Sequence, residues 1–194
     1  MSRRLLLLPA LLLLILAGCV AKNTGTAELP PEDYTLTLPA NWHTIPANKI
    51  PASSMTALKE SNLRLLEAYT SAPAKEFRLP LLVFSRKDMG KLSSSEMLLA
   101  QDNIEQLFAM NGDIEVTGKH FDQETKRLSV DGGLTSAQNI RFKILATFYY
   151  TEKGMVVAFG YVAPADSQAQ AEMHQIMKSV VLSPELEYQP IVTK

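Results

Sequence analysis

Residues 155–162, Met-Val-Val-Ala-Phe-Gly-Tyr-Val, are apolar on both faces that a strand presents to its surroundings. Side chains alternate across a strand, so Val156 and Ala158 point one way and Val157 and Phe159 the other. A strand of this kind stands inside a sheet that is covered on both sides. Residues 79–86, Leu-Pro-Leu-Leu-Val-Phe-Ser-Arg, repeat the pattern, with Leu79, Leu81 and Val83 opposite Leu82 and Phe84. Two such strands demand helices above and below one sheet.

The neighbouring segments supply the rest of that arrangement. Ile140, Phe142, Ile144, Ala146, Phe148 and Tyr150 occupy one face of a long strand, and Thr151-Glu152-Lys153-Gly154 turns it back into 155–162 as a hairpin. Ser93 followed by Glu96 is a capping box, and Met97, Ala100, Ile104, Leu107 and Phe108 then recur at helical spacing up to a stop at Asn111-Gly112. Ser167 and Gln170 cap a last helix whose buried stripe is Ala169, Met173, Ile176, Met177 and Val180. Tyr34, Leu36 and Leu38 make a half-buried strand that Pro39 ends. Ile114, Val116 and His120 alternate in another, and Leu128 and Val130 in a third that Asp131-Gly132-Gly133 terminates as a turn. In residues 53–69, Met55, Leu58, Leu65, Leu66 and Tyr69 share one helical face behind a Ser53 or Ser54 cap. Leu63, Leu65 and Glu67 also permit a strand over the second half, and helix is the preferred reading. The fold class is α+β: a three-layer α/β/α domain with a largely antiparallel sheet flanked by helices.

The start of the chain carries an address. Arg3-Arg4 precede an apolar run from Leu5 to Ala17, too short for the ~20 residues that span a bilayer and interrupted by Pro9. This is the pattern of a secretory signal peptide, residues 1–18. Leu16-Ala17-Gly18-Cys19 resembles the bacterial lipobox. The resemblance implies cleavage between Gly18 and Cys19 and lipidation of the Cys19 thiol. Cys19 is the only cysteine, which excludes an internal disulfide and a Cys-ligated zinc. Several acyl chains on one residue hold a protein to a membrane where one alone does so marginally. Val20 in place of an aspartate resembles the outer-membrane route of organisms with two membranes. Residues 19–33, lipidated Cys19 and a polar stretch with Gly25 and Pro30-Pro31, read as a tether reaching ~20 Å. A single globular domain over 34–183 and a tail over 184–194 follow.

Once residues 1–18 are removed, 17 basic and 20 acidic residues leave a net charge of −3. That balance argues against a nucleic-acid binder. His43, His120 and His174 have no metal-site spacing, so His43 beside Trp42 reads as a packed residue and His174 as a solvated one. Met173 and Met177 fall on the apolar stripe, as core residues rather than copper ligands. No serine sits in a nucleophile elbow and no glycine-rich loop precedes a phosphate-binding helix. No catalytic residue, metal or cofactor is assigned. The mixed run 119–127, with Arg141 and Lys143, offers a basic cluster for anionic lipid headgroups.

Tyr-Thr-Leu-Thr-Leu-Pro-Ala-Asn-Trp-His-Thr-Ile, residues 34–45, resembles the opening strand, proline and tryptophan of PsbP-like domains. The hairpin and closing helix, 140–181, are arranged similarly, and periplasmic DcrB-like lipoproteins share the plan. The resemblance implies a domain that binds other proteins and carries no catalytic motif. The expectation is a lipid-anchored envelope protein with a non-enzymatic binding or assembly domain. Its partner, an envelope protein or lipid component, would meet an exposed apolar patch at Tyr34, Trp42 and His43. The competing expectation is a small-molecule or lipid carrier with a pocket between helices and sheet.

Overall fold

The structure, a computed structural model, describes residues 33–73, 76–110, 114–135 and 139–189. The signal peptide, Cys19, most of the tether and the Asn111-Gly112 stop lie outside the described residues. In chain order the elements are β1 (Tyr34–Thr35), β2 (His43–Thr44), α1 (Ala52–Glu60), β3 (Arg64–Thr70), β4 (Leu81–Asp88), α2 (Ser94–Met110) and β5 (Ile114–Asp122). Then follow β6 (Arg127–Thr135), β7 (Arg141–Thr151), β8 (Gly154–Val162), α3 (Ser167–Ser179) and β9 (Val181–Leu182).

Among the described residues seven strands form one sheet in the order β2-β3-β4-β8-β7-β6-β5, and every pair is antiparallel. The two strands that are apolar on both faces, β4 and β8, are neighbours near its centre. Each face carries its own core. On one, Leu82, Phe84, Leu145, Tyr149, Val156 and Ala158 meet Met173, Ile176 and Met177 of α3. On the other, Leu81, Val83, Ile144 and Ala146 meet Met97, Ile104 and Phe108 of α2. The three-layer arrangement follows directly from the double-faced pattern of the central strands.

Local chemistry fixes the helix ends. The capping box forms as its spacing predicts: Glu96 accepts from the Ser93 backbone N–H at 2.7 Å, and Ser93 Oγ accepts from the Glu96 N–H at 3.3 Å. The cap of α3 lies one residue earlier than the Ser167-Gln170 reading, because the Asp166 carboxylate accepts from the Ala169 N–H at 3.0 Å. A charged acceptor gains from the positive helix end as well as from the hydrogen bond.

Four expectations need correction. Residues 53–69 are not one helix: α1 stops at Glu60, Asn62 takes the left-handed backbone (φ 55°), and β3 begins at Arg64. Asn tolerates that conformation and ends the helix, and pairing with β4 then outweighs helical propensity. The N-cap of α1 is Pro51 rather than a serine. Asp131-Gly132-Gly133 is not a turn but the middle of β6, paired on both sides. A Cβ at Gly132 would stand 2.9 Å from the Glu115 carbonyl oxygen, so the strands approach closely there. Finally, only Tyr34 and Thr35 of the first segment are strand, paired with β9, while Leu36 and Leu38 pack as extended chain against the core.

The last segment belongs to the fold as far as it is described. Leu186 is buried, and Tyr188 donates its hydroxyl to the Leu92 carbonyl at 2.8 Å.

Candidate functional site

The residues first considered as a partner surface lie together, but they do not form an exposed patch. Tyr34 is buried, stacked on Phe84 with ring centroids 4.8 Å apart, and its hydroxyl donates to Glu67 at 3.2 Å. Tyr69 donates to the same carboxylate. Burial, with the two partners adding to it, pushes the Tyr34 hydroxyl far above the ordinary tyrosine range, so it stays a donor. Trp42 is buried too, its indole N–H donating to Glu172 of α3 at 2.7 Å. Hydrogen bonds from Gln168, Trp42 and Asn41 hold the Glu172 carboxyl below its usual range. His43 pairs with Thr70 at the sheet edge and is half-buried. Large rings with one polar tip gain most by burying the ring and bonding the tip; Glu67 of β3 gives Tyr34 that arrangement and Glu172 of α3 gives it to Trp42.

The basic cluster separates as well. Thr117 is the extra residue of a bulge between Val116 and Gly118, which shifts the alternation of β5. Lys119 therefore meets Glu105 of α2 at 3.0 Å, and His120 turns exposed instead of joining Ile114 and Val116. Arg127 donates to the Lys178 and Val180 carbonyls at the end of α3. Arg141 pairs with Thr135 at the opposite end of β6 from Arg127, eight positions or roughly 27 Å away. Met173 and Met177 are core residues, and His174 lies 3.6 Å from Asp131 across the surface.

A pocket between helices and sheet, which the carrier expectation called for without naming its residues, lies on the α1–α2 face, with a cavity volume of about 230 Å³. Its floor is the outward row of the two central strands: Val83, Ser85 and Lys87 of β4, and Met155, Val157, Phe159 and Tyr161 of β8, with Phe148 of β7 beside them. Ala57, Leu58 and Leu63 form one wall, and Ile104, Leu107 and Phe108 of α2 the other. The pocket exists because α1 and α2 cross the same face without meeting over β4 and β8. Its aromatic side is ordered by ring contacts of Phe159 with Phe108, Phe148 and Tyr161 at 6.2, 6.1 and 6.3 Å. Ala57, Leu58, Val83, Ser85, Ile104, Phe108, Val157 and Tyr161 are buried, whereas Ser61, Leu63, Lys87, Phe148, Met155 and Phe159 are half-buried and Leu107 is 44 % exposed. The opening is on that side. The only signal in the sequence was Ser85 and Lys87 continuing an otherwise apolar row.

The titratable groups of the lining are Lys87 and Tyr161. Burial pushes the Tyr161 hydroxyl above the ordinary tyrosine range. Neither group has a carboxylate or histidine beside it in the lining to act as an acid–base partner. Among the described residues no three His, Cys, Asp or Glu side chains are placed to share a metal ion, and no helix is long and apolar enough to cross a membrane. A pocket of this composition holds apolar matter and orients a charge at its rim.

No family model and no curated protein sequence matches the chain. Solved structures do. Cyanobacterial PsbP (CyanoP) from Synechocystis sp. PCC 6803 aligns at 8 % identity with a TM-score of 0.47, covering 78 % of this chain and 87 % of that one. LpqN of Mycobacterium tuberculosis, involved in cell envelope biogenesis, aligns at 9 % identity with a TM-score of 0.50, covering 78 % of this chain and 83 % of that one. The chain has an α+β fold, a large antiparallel sheet with helices on both faces, of a kind found in such proteins.

Proposed function

We propose that this protein is a lipid-anchored component of the cell envelope and that its domain binds a ligand in the α1–α2 pocket without transforming it. The pocket carries the reading: an apolar cavity between helices and sheet, with a single cationic side chain in its lining. Of the two expectations raised by the sequence, this observation favours the carrier. Tyr34 and Trp42, where the protein-docking expectation placed an exposed patch, are buried.

The envelope location is supported by the leader Arg3-Arg4, the apolar run and the Leu16-Ala17-Gly18-Cys19 motif. LpqN, which shares the fold, is involved in cell envelope biogenesis, and the same setting suits this chain. Where the source has two membranes, Val20 favours the outer one, with the domain facing the periplasm. Asp33, at the root of the tether, is fixed to the domain by Arg86 at 2.8 Å and Arg64 at 3.1 Å. Arg64 of β3 and Arg86 of β4 are paired at the Lys87 end of β4, so Asp33, the root of the tether, lies at the same end of the sheet as Lys87.

Replacing the thiol tests the anchor. Cys19→Ser is expected to give a full-length precursor that takes up no radioactive palmitate, while the wild-type chain is shortened by 18 residues and labelled. A normally shortened, labelled Cys19→Ser product would show that the anchor lies elsewhere.

A further inference from the structure

We propose that the occupant of the pocket is a fatty carboxylate, a single acyl chain whose acidic head meets Lys87. This rests on reading the pocket as a ligand site and adds the chemistry of the ligand.

The rungs of the two central strands set the axis of the cavity. Val83 pairs with Phe159, Ser85 with Val157 and Lys87 with Met155, so the floor runs from an apolar rung at Val83 and Phe159 to a half-buried cationic one at Lys87. Four residues of strand make that path about 14 Å long. At about 230 Å³ the cavity is narrower than sites that enclose a drug-sized ligand, which begin near 300 Å³. A slim hydrocarbon chain suits it, and the two chains of a phospholipid do not. Each methylene drawn out of water on to this apolar lining adds favourable transfer free energy.

The head group follows from charge. Lys87 makes no ion pair or side-chain hydrogen bond among the described residues. The nearest carboxylates along the strands are engaged: Asp88 bonds to Arg86 at 2.7 Å, and Asp33 bonds to Arg86 and Arg64. An uncompensated ammonium beside a low-dielectric cavity attracts an anion more strongly than one in open water. One cation balances one carboxylate, whereas a phosphate monoester head, with close to two negative charges, would be left underneutralised. Lys87 is thus a specificity residue for a singly charged amphiphile.

The full chain in isolated membranes provides the test, using a photoreactive palmitate analogue and its uncharged alcohol. On irradiation both are expected to label peptides containing Phe148 or Phe159, and peptide mapping separates these adducts from acylation at Cys19. Lys87→Met is expected to cut labelling by the carboxylate about tenfold and to leave labelling by the alcohol unchanged. Lys87→Arg should retain both. The thermal midpoint of Lys87→Met serves as the check on folding, since the side chain makes no bond whose loss would lower it. Carboxylate labelling that is indifferent to Lys87→Met, or a lysophospholipid that competes better than unlabelled palmitate, would overturn the fatty carboxylate while leaving the pocket a ligand site. Failure of both probes to reach the pocket would overturn the two together.

Discussion

Gly154→Ala is expected to lower the thermal midpoint of the domain by roughly 10–15 °C. Gly154 closes the β7–β8 turn with φ +123°, a conformation side-chain-bearing residues rarely adopt. A Cβ there would stand 2.1 Å from the Lys87 carbonyl oxygen and 2.8 Å from the Met89 nitrogen, both backbone atoms of the adjoining chain. The backbone strain costs ~1–3 kcal/mol, and the overpacking a further ~1–3 kcal/mol. Together these consume a large part of the ~5–15 kcal/mol by which a domain is stable. Gly133→Ala is the control, because a Cβ at Gly133 meets nothing within 4 Å and its φ is not positive. Its midpoint should move by no more than a few degrees. Circular dichroism melts of the two variants settle the matter, and a Gly154→Ala midpoint as high as that of the control would refute the turn geometry.

Phe84→Ala and Phe159→Ala contrast the two faces of the sheet. Phe84 is fully buried, stacked on Tyr34 and edge-on to Tyr69 at 5.8 Å. Its removal should cost ~3–5 kcal/mol, because a cavity opens in a close-packed core that cannot collapse around it. The loss reaches the tether, since Tyr34 docks β1 on to that ring and Asp33 precedes it in the chain. Phe159 also carries three ring contacts, but it is half-buried and borders a space that is already open. Phe159→Ala should therefore cost less than half as much in urea unfolding. Equal costs would mean that the pocket face is packed like the other and holds no ligand space.

Much of the architecture was legible because it rests on local periodicity. The double-faced strands, the hairpin, the Ser93-Glu96 box and the buried stripe of α3 each declare themselves within some twenty residues. The errors come where distant chain decides. Residues 64–70 fit a helical face as well as a strand, and only the pairing of β3 with β4 selects the strand. The bulge at Thr117 reverses the alternation after it, so His120 exchanges faces with Lys119, which no pattern of single residues announces. Asp131-Gly132-Gly133 has turn composition, yet two neighbouring strands hold it extended.

The candidate site was less legible for the same reason. Tyr34 and Trp42 look like surface aromatics at the margin of a domain until Glu67 and Glu172, remote in sequence, bond their polar tips and draw them inward. The pocket lies between α1 and α2, two helices separated by more than thirty residues, and its shape depends on the gap they leave rather than on any motif. Ser85 and Lys87 mark it only once the row they belong to is known to face that gap.

The central claim is that this pocket receives a small amphiphile rather than a segment of another protein. Leu107, 44 % exposed on the α2 wall, is the position from which to ask. With p-benzoylphenylalanine in place of Leu107 in the full-length chain, irradiation of intact cells should yield an adduct heavier by the mass of a single-chain lipid, read by intact mass spectrometry. No discrete band of protein size should accompany it. A reproducible protein-sized band, with no lipid-sized adduct, would contradict the account.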